Sequence, residues 1–461
     1  MSRQPLSAWV PVAFLVFVFL TGGGARSDIA SLPLLRGGAV LFAFWAALQM
    51  DGSDWRRVRT PLLLLGALTA WIGIQLIPLP PAMWQGLPGR ETIAAIDRLL
   101  GQPDIWRPIS LTPSQGFNSL LAMTVPFAAL LVYSRGSAED GSRILFAVVG
   151  IACVSALLGL VQIMSGPSSG AYLYRITNSQ DMVGLFANRN HHSIFLASSV
   201  IIAAMLLRDE FMRKQRRGLV CVCLALVGVS LTVMTVLIGS RAGLVAGVVA
   251  FSAGYLMVAS AWQSHGSRRT SGAPALSPRR AKWLLYAPVV AMALLLGGGL
   301  WASSRMTAFS RVLGADVAED MRVQAWSTVQ SMLETYWVMG SGFGSFPDVY
   351  EMFEPDRLLQ PSYFNHAHND WAEIFITGGV PAMVIMIAAI AWIVRGALRR
   401  GTRGLLKGHR GDIRLSAMLI LCLIALGSVV DYPLRVPSIQ LLSIILVILL
   451  CCSKGGPTRQ D

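Results

Sequence analysis

The chain is predicted to fold as an all-α, polytopic membrane bundle of about 12 transmembrane helices, joined by a large and partly helical outer loop. Three observations carry that class. Of 461 residues, 54% are hydrophobic and only 13% are charged, which is the composition of a membrane protein. Stretches without any ionisable group recur at close to the ~20 residues a helix needs to cross the hydrocarbon layer. Between them, lysine and arginine concentrate in every second connection.

In chain order the expected spans are 8–21, 32–50, 61–77, 116–133, 144–163, 190–207, 219–238, 242–262, 283–301, 372–394, 415–431 and 438–453. Each must be helical, because only a helix pairs all its backbone polar groups within one segment. Gly24-Ala25 resembles a small-residue cleavage site, but only Arg3 precedes the first span, which is therefore read as a membrane helix. With the N-terminus inside, the inner connections carry DWRRVRT, RDEFMRKQRRG, the segment 268–282 and the run 395–414; with Arg3, Arg135, Arg143, Lys454 and Arg459 they hold 25 of the 38 basic residues. The formal charge of +14 is thus a matter of topology and not of nucleic-acid binding. All six cysteines lie within or at the ends of apolar spans, so no disulfide framework is expected.

The chain then divides into a bundle of nine spans (1–301), an outer loop (302–371), and three further spans with an inner tail (372–461). The outer loop is too long for a plain connector. Within DVAEDMRVQAWSTVQSMLETYW, the residues Met321, Ala325, Val329, Met332, Leu333 and Tyr336 recur at helical spacing, and Asp316 with Glu319 reads as a helix start. This predicts an amphipathic helix on the bundle or the membrane surface, ended by the glycine turn GSGFGSFPD. The turn follows a helix and lacks the Lys-Ser/Thr of a phosphate loop, so it is not read as a nucleotide site.

Chemistry concentrates at the outer ends of spans. Arg241 interrupts VLIGSRAGLVAG, where two apolar spans meet with almost no connection; a charge near membrane depth is a site hypothesis by default. Arg322 lies in a loop of nine acids and four bases, where it does not serve the positive-inside bias. Asn188, Arg189, Asn190, His191 and His192 open the sixth span, and an asparagine there can cap the helix. YFNHAHNDWAE sets His366, His368, Asn369, Asp370 and Glu373 against the tenth span. His265 and His409 fall in basic inner loops. The outer histidines lack the HExxH spacing of a zinc site, and no metal is expected.

HAHNDWAEIFITGGVP resembles the signature of the O-antigen ligase and O-antigen polymerase family, in which a His-Asn pair precedes a glycine in the next membrane helix. Here the pair is His368-Asn369 and the glycine is Gly378 or Gly379; Ala382 stands where ligases often carry a later glycine, threonine or tyrosine. GLFANRNHHS, IGSRAGL, RVQAWSTVQSMLETYWVMGSGFGSF and DYPLRVPS resemble further family motifs in the same order, so the likeness covers residues 184–445.

The resemblance implies a glycosyltransferase of the GT-C type at the periplasmic face of the bacterial inner membrane. It would move a glycan from undecaprenyl pyrophosphate to a sugar hydroxyl of a lipid A-core acceptor, without ATP, cofactor or metal. Arg241 and Arg322 suit the developing charge of a pyrophosphate leaving group, with Arg189 a weaker third. His368 is the expected general base, and Asn190, His366, Asn369 and Asp370 are the expected substrate-binding residues. A polymerase joining lipid-linked repeats would use the same chemistry. A transporter of a lipid-linked anionic glycan is the alternative of another class; it predicts charges near the bilayer midplane, whereas these cluster at one face.

Overall fold

The computed structural model describes residues 6–135, 138–213, 217–269, 286, 290, 317–359, 364–399 and 408–452. Its helices are α1 (Val10–Thr21), α2 (Leu32–Gln49), α3 (Gly52–Ile74), α4 (Pro81–Trp84), α5 (Glu91–Leu99), α6 (Pro113–Ala122), α7 (Thr124–Tyr133), α8 (Ala138–Ser165), α9 (Arg189–Met212), α10 (Gly218–Leu237), α11 (Arg241–Arg269), α12 (Val317–Tyr336), α13 (Phe346–Phe353), α14 (Asp370–Arg399), α15 (Gly408–Gly427) and α16 (Pro437–Val447). The one ladder among the described residues pairs Pro78–Leu79 with Arg107–Pro108, antiparallel. The molecule is an all-α, multi-pass membrane bundle: among the described residues seven helices, with α6 and α7 taken together, are long and apolar enough to cross a membrane, α1, α15 and α16 are shorter apolar helices, and α9, the expected sixth span, is in neither group. The expected ninth span, 283–301, falls outside the described residues apart from Tyr286 and Val290. The fourth expected span is two helices, α6 and α7, which abut at Met123.

The central helix is α9, flanked by α8, α10, α11 and α15. Every residue from 191 to 203 is buried. In a bilayer, where apolar surface gains little by leaving lipid, such packing depends on close backbone approach through small residues. A side chain added at Gly243 would sit 2.4 Å from Ser193, and one at Gly254 would sit 2.8 Å from Ala204. Ser198 and Ser199 each donate to the carbonyl four residues back, at 2.7 and 2.9 Å, and so bring no unpaired hydroxyl into the core.

The described part of the expected outer loop packs on the bundle. The apolar stripe of α12 (Ala325, Val329, Met332, Tyr336) is buried against Phe346, Val349 and Tyr350 of α13 and Ala372 and Ile376 of α14, while Trp326 on its other face is 45% exposed. Asp316, the expected helix start, lies outside the described residues. Arg90, from the 78–112 connection, is buried beneath α12 with its guanidinium 5.9 Å from the Tyr336 ring centre, and it donates to the Ile109 carbonyl. Burial lowers its pKa to about 10.

The glycine turn clamps a break in α14. Pro381 has no N–H to offer the Thr377 carbonyl four residues before it, and Gly379 leaves helical geometry at φ 60, ψ −164. The freed carbonyls are satisfied from elsewhere: Ser341 N donates to Ile376 at 2.9 Å and Gly342 N to Thr377 at 3.0 Å. Gln75 Nε2 also donates to Thr377 at 3.0 Å and Trp71 Nε1 donates to Gly378 at 2.7 Å. A Cβ on Gly379 would meet Gly340 N and Val338 O at 2.6 Å, so only glycine permits the contact.

Candidate active site

The start of α14 organises its own approach loop. Asn369 caps the helix, its Oδ1 accepting from Ala372 N at 3.0 Å. Glu373, in the first turn, reaches back: Oε2 accepts from Ala367 N at 2.8 Å, and Oε1 lies 2.9 Å from His366 Nδ1. The stretch 364–369 is bent. His368 is the one non-glycine residue among those described with positive φ, at 50°. Its Nδ1 lies 3.0 Å from the His366 carbonyl. A non-glycine residue in that region is a local cost that its surroundings must over-determine.

Those surroundings come from the connection between α15 and α16. Tyr432 sits among three histidines, with ring centres 4.4 Å from His366, 5.0 Å from His368 and 4.9 Å from His191. Arg435 bridges the two acids of the α14 start, Nη1 to Glu373 Oε1 at 3.1 Å and Nε to Asp370 Oδ1 at 3.3 Å. Asp370 Oδ2 also accepts from Ser428 Oγ at 3.0 Å and Leu434 N at 3.1 Å. Both acids are buried; a buried carboxylate is tolerable only when paired and hydrogen-bonded, and here two share one planar guanidinium.

Asp431, next to Tyr432, extends the network to α9 and α11. Asn190 Nδ2 donates to Asp431 Oδ2 at 2.6 Å, and His191 Nε2 lies 3.8 Å from Asp431 Oδ1. Ser240 Oγ donates to Asn190 Oδ1 at 2.7 Å while accepting from Gly243 N at 3.0 Å, which caps α11. Arg241, the first residue of α11, follows directly and is exposed. Four motif segments separated along the chain (the starts of α9, α11 and α14, and DYPLR) therefore meet at one end of the bundle.

Not every expected residue enters this cluster. Arg189 pairs with Asp181 at 3.2 Å. His192 is buried in the core, its Nδ1 2.8 Å from the Met182 carbonyl and its ring stacked on Phe186. The backbone of Arg322 lies in α12, and its side chain falls outside the described residues. Asn190, Asn369 and Asp370, expected to hold substrate, are each engaged by the protein itself. His366 has Nδ1 on Glu373, and its Nε2 is buried without a hydrogen bond among the described residues. Among the described residues no three His, Cys, Asp or Glu side chains are grouped as metal ligands.

A cavity of about 530 Å³, lined in part by Arg435, opens between α2, α3, α6, the glycine turn and α14. Its polar wall includes His366, Asp370, Glu373, Arg435 and Arg36, and its apolar wall includes Leu68, Ile72, Met123, Ile374 and Met386. Sequence reasoning missed Arg435, Tyr432, Asp431 and Arg36 as functional candidates. The available signal for the first three is an Asp, a Tyr and an Arg in a five-residue stretch between two apolar helices. For Arg36 it is a lone guanidinium one turn inside a span.

Residues 225–387 match the family model described as O-antigen ligase. The matched segment contains Ser240-Arg241, the glycine turn and HAHND through Gly379; the starts of α2 and α9 and the DYPLR connection lie outside it. A search of curated proteins finds no match.

Proposed function

From the match of residues 225–387 to the O-antigen ligase family model, we propose that the chain is a glycosyltransferase of the O-antigen ligase/polymerase type at the outer face of a bacterial inner membrane. It transfers a glycan from undecaprenyl pyrophosphate to a sugar hydroxyl of a lipid A-core acceptor. The observation that carries this reading is the convergence of Arg241, Asn190, Tyr432, Arg435 and the strained His368 at one end of the bundle, through hydrogen bonds and ring contacts between segments far apart in sequence.

His368 is the general base. Its Nδ1 faces the His366 carbonyl, a partner that only accepts, so the proton sits on Nδ1 and Nε2 carries the lone pair. The acceptor hydroxyl gives its proton to Nε2 as its oxygen attacks the anomeric carbon. The bond from that carbon to the pyrophosphate oxygen breaks, and its electron pair leaves with undecaprenyl pyrophosphate. Arg241 and Arg322 stabilise the charge that develops there, and the proton on His368 passes to solvent or to the departing diphosphate. Glu373 is a positioning residue: it holds the His366 ring and the Ala367 N–H, the residues from which His368 hangs. The donor is already activated, so neither ATP nor a metal is required.

A polymerase joining lipid-linked repeats is the second reading, favoured by the departure at Ala382 from the ligase pattern. Deleting the gene and resolving cell-surface glycan on a gel tests both. Lipopolysaccharide without its polymer cap, with lipid-linked polymer retained, is the expected result; single repeats would make it a polymerase, and unchanged glycan would refute both.

A further inference from the structure

The mechanism above leaves Arg36 unused. It lies on α2 about 6 Å, one turn, below the end of the helix that borders the site. Its Nε is buried, and the side chain makes no hydrogen bond or ion pair among the described residues. Neighbouring positions settle its direction: Leu32, Leu35 and Ala39 are buried, Leu34 and Leu41 face outward at 62% and 71% exposure, and Arg36 lines the 530 Å³ cavity. The other cations on that wall are already engaged, Arg435 by Asp370 and Glu373 and Arg26 by Asp28 at 2.9 Å. A guanidinium at this depth is costly unless an anion meets it.

The cavity also specifies what accompanies that anion. Beyond Arg36 the wall turns apolar, with Leu68, Ile72, Ile374 and Met386 drawn from segments within or bordering the bilayer span. An anion continuous with an apolar chain satisfies both walls, and a guanidinium fork matches phosphate oxygens bidentately. Arg189 and Arg241 are not among the cavity's lining residues, so Arg36 faces a space that borders the Arg435–Glu373 bridge and that those two arginines do not line.

We propose that this cavity is a second binding site, for a lipid-borne phosphate, with Arg36 as the residue that contacts it. Resting on the reading of the chain as a transferase between two lipid-linked glycans, this assigns one substrate to the Arg241 side of His368 and the other to the Arg36 side. The phosphate belongs either to a polyprenyl pyrophosphate or to a phosphorylated acceptor lipid.

The test uses the full chain in nanodiscs and measures equilibrium binding of two probes, undecaprenyl pyrophosphate and lipid A. Arg36→Gln is expected to weaken binding of one probe at least tenfold, and Arg36→Lys to recover part of it. Leu41→Ala, on the lipid-facing side of the same helix, should bind both as the unaltered chain does. Whichever probe is lost identifies the source of the phosphate. Normal binding of both probes by folded Arg36→Gln, or binding of neither by the unaltered chain, would overturn the proposal. Transfer assays separate it from the catalytic reading: weakened binding in Arg36→Gln with full turnover in His368→Ala would leave the site standing and remove the base. Normal binding in Arg36→Gln with His368→Ala inactive would do the reverse.

Discussion

Two helices, α9 and α14, begin with the same ingredients at the same end of the bundle and use them differently. Each has an asparagine cap and a pair of histidines. In α9 the pair follows the cap, so His191 and His192 are first-turn residues whose directions the helix fixes. One turns to Tyr432 and Asp431, the other into the core against Phe186. In α14 the pair precedes the cap, on bent backbone with no ladder of its own, and His366 and His368 are held by Glu373, a carbonyl and the Tyr432 ring. A histidine after the cap is held by helix geometry and packs. One before it must be held by side chains, and can therefore be aimed at a reacting hydroxyl.

This contrast can be broken by substitution. The largest effect is expected at His368, where His368→Ala should lower the transfer rate by about 10² to 10⁴ with lipid-linked donor still bound. Next comes Arg435→Ala, which leaves two buried carboxylates without their cation. Breaking a buried ion pair costs about 3–5 kcal/mol, so folded yield and thermal stability should fall along with activity. Arg241→Lys should lose most transfer at normal protein level, because a point charge does not reproduce the planar fork; full activity would reduce Arg241 to a surface charge. His366→Ala removes a positioning group and keeps the carbonyl that anchors His368, so partial activity should remain. The smallest effect on turnover is expected at His192, the core member of the α9 pair. His192→Ala should lower the melting temperature with near-normal turnover in the folded fraction, and a loss matching that of His368→Ala would erase the distinction between the two helices.

The sequence makes the class and the outer helix legible because both rest on local periodicity. Apolar runs long enough to cross a membrane must be helical, and the stripe Ala325, Val329, Met332, Tyr336 is buried as its spacing predicts. Motif order likewise points to the O-antigen ligase family model that residues 225–387 match. Partnership is what periodicity does not carry. That Arg435 neutralises Asp370 and Glu373, more than sixty residues earlier, depends on two helices lying side by side. Arg36 reads as one basic residue at a span end until the cavity beside it is seen. The break at Gly379 is half legible: Pro381 announces a lost hydrogen bond, but not that Ser341, Gly342, Gln75 and Trp71 supply the replacements.

The central claim is that His368, held before the α14 cap, takes the proton of the acceptor hydroxyl. The direct measurement is single-turnover transfer by purified His368→Ala with lipid-linked glycan and acceptor, with and without added imidazole. The account predicts a rate lower by about 10² to 10⁴ that imidazole partly restores, with donor binding unchanged. Near-normal turnover without imidazole would contradict it.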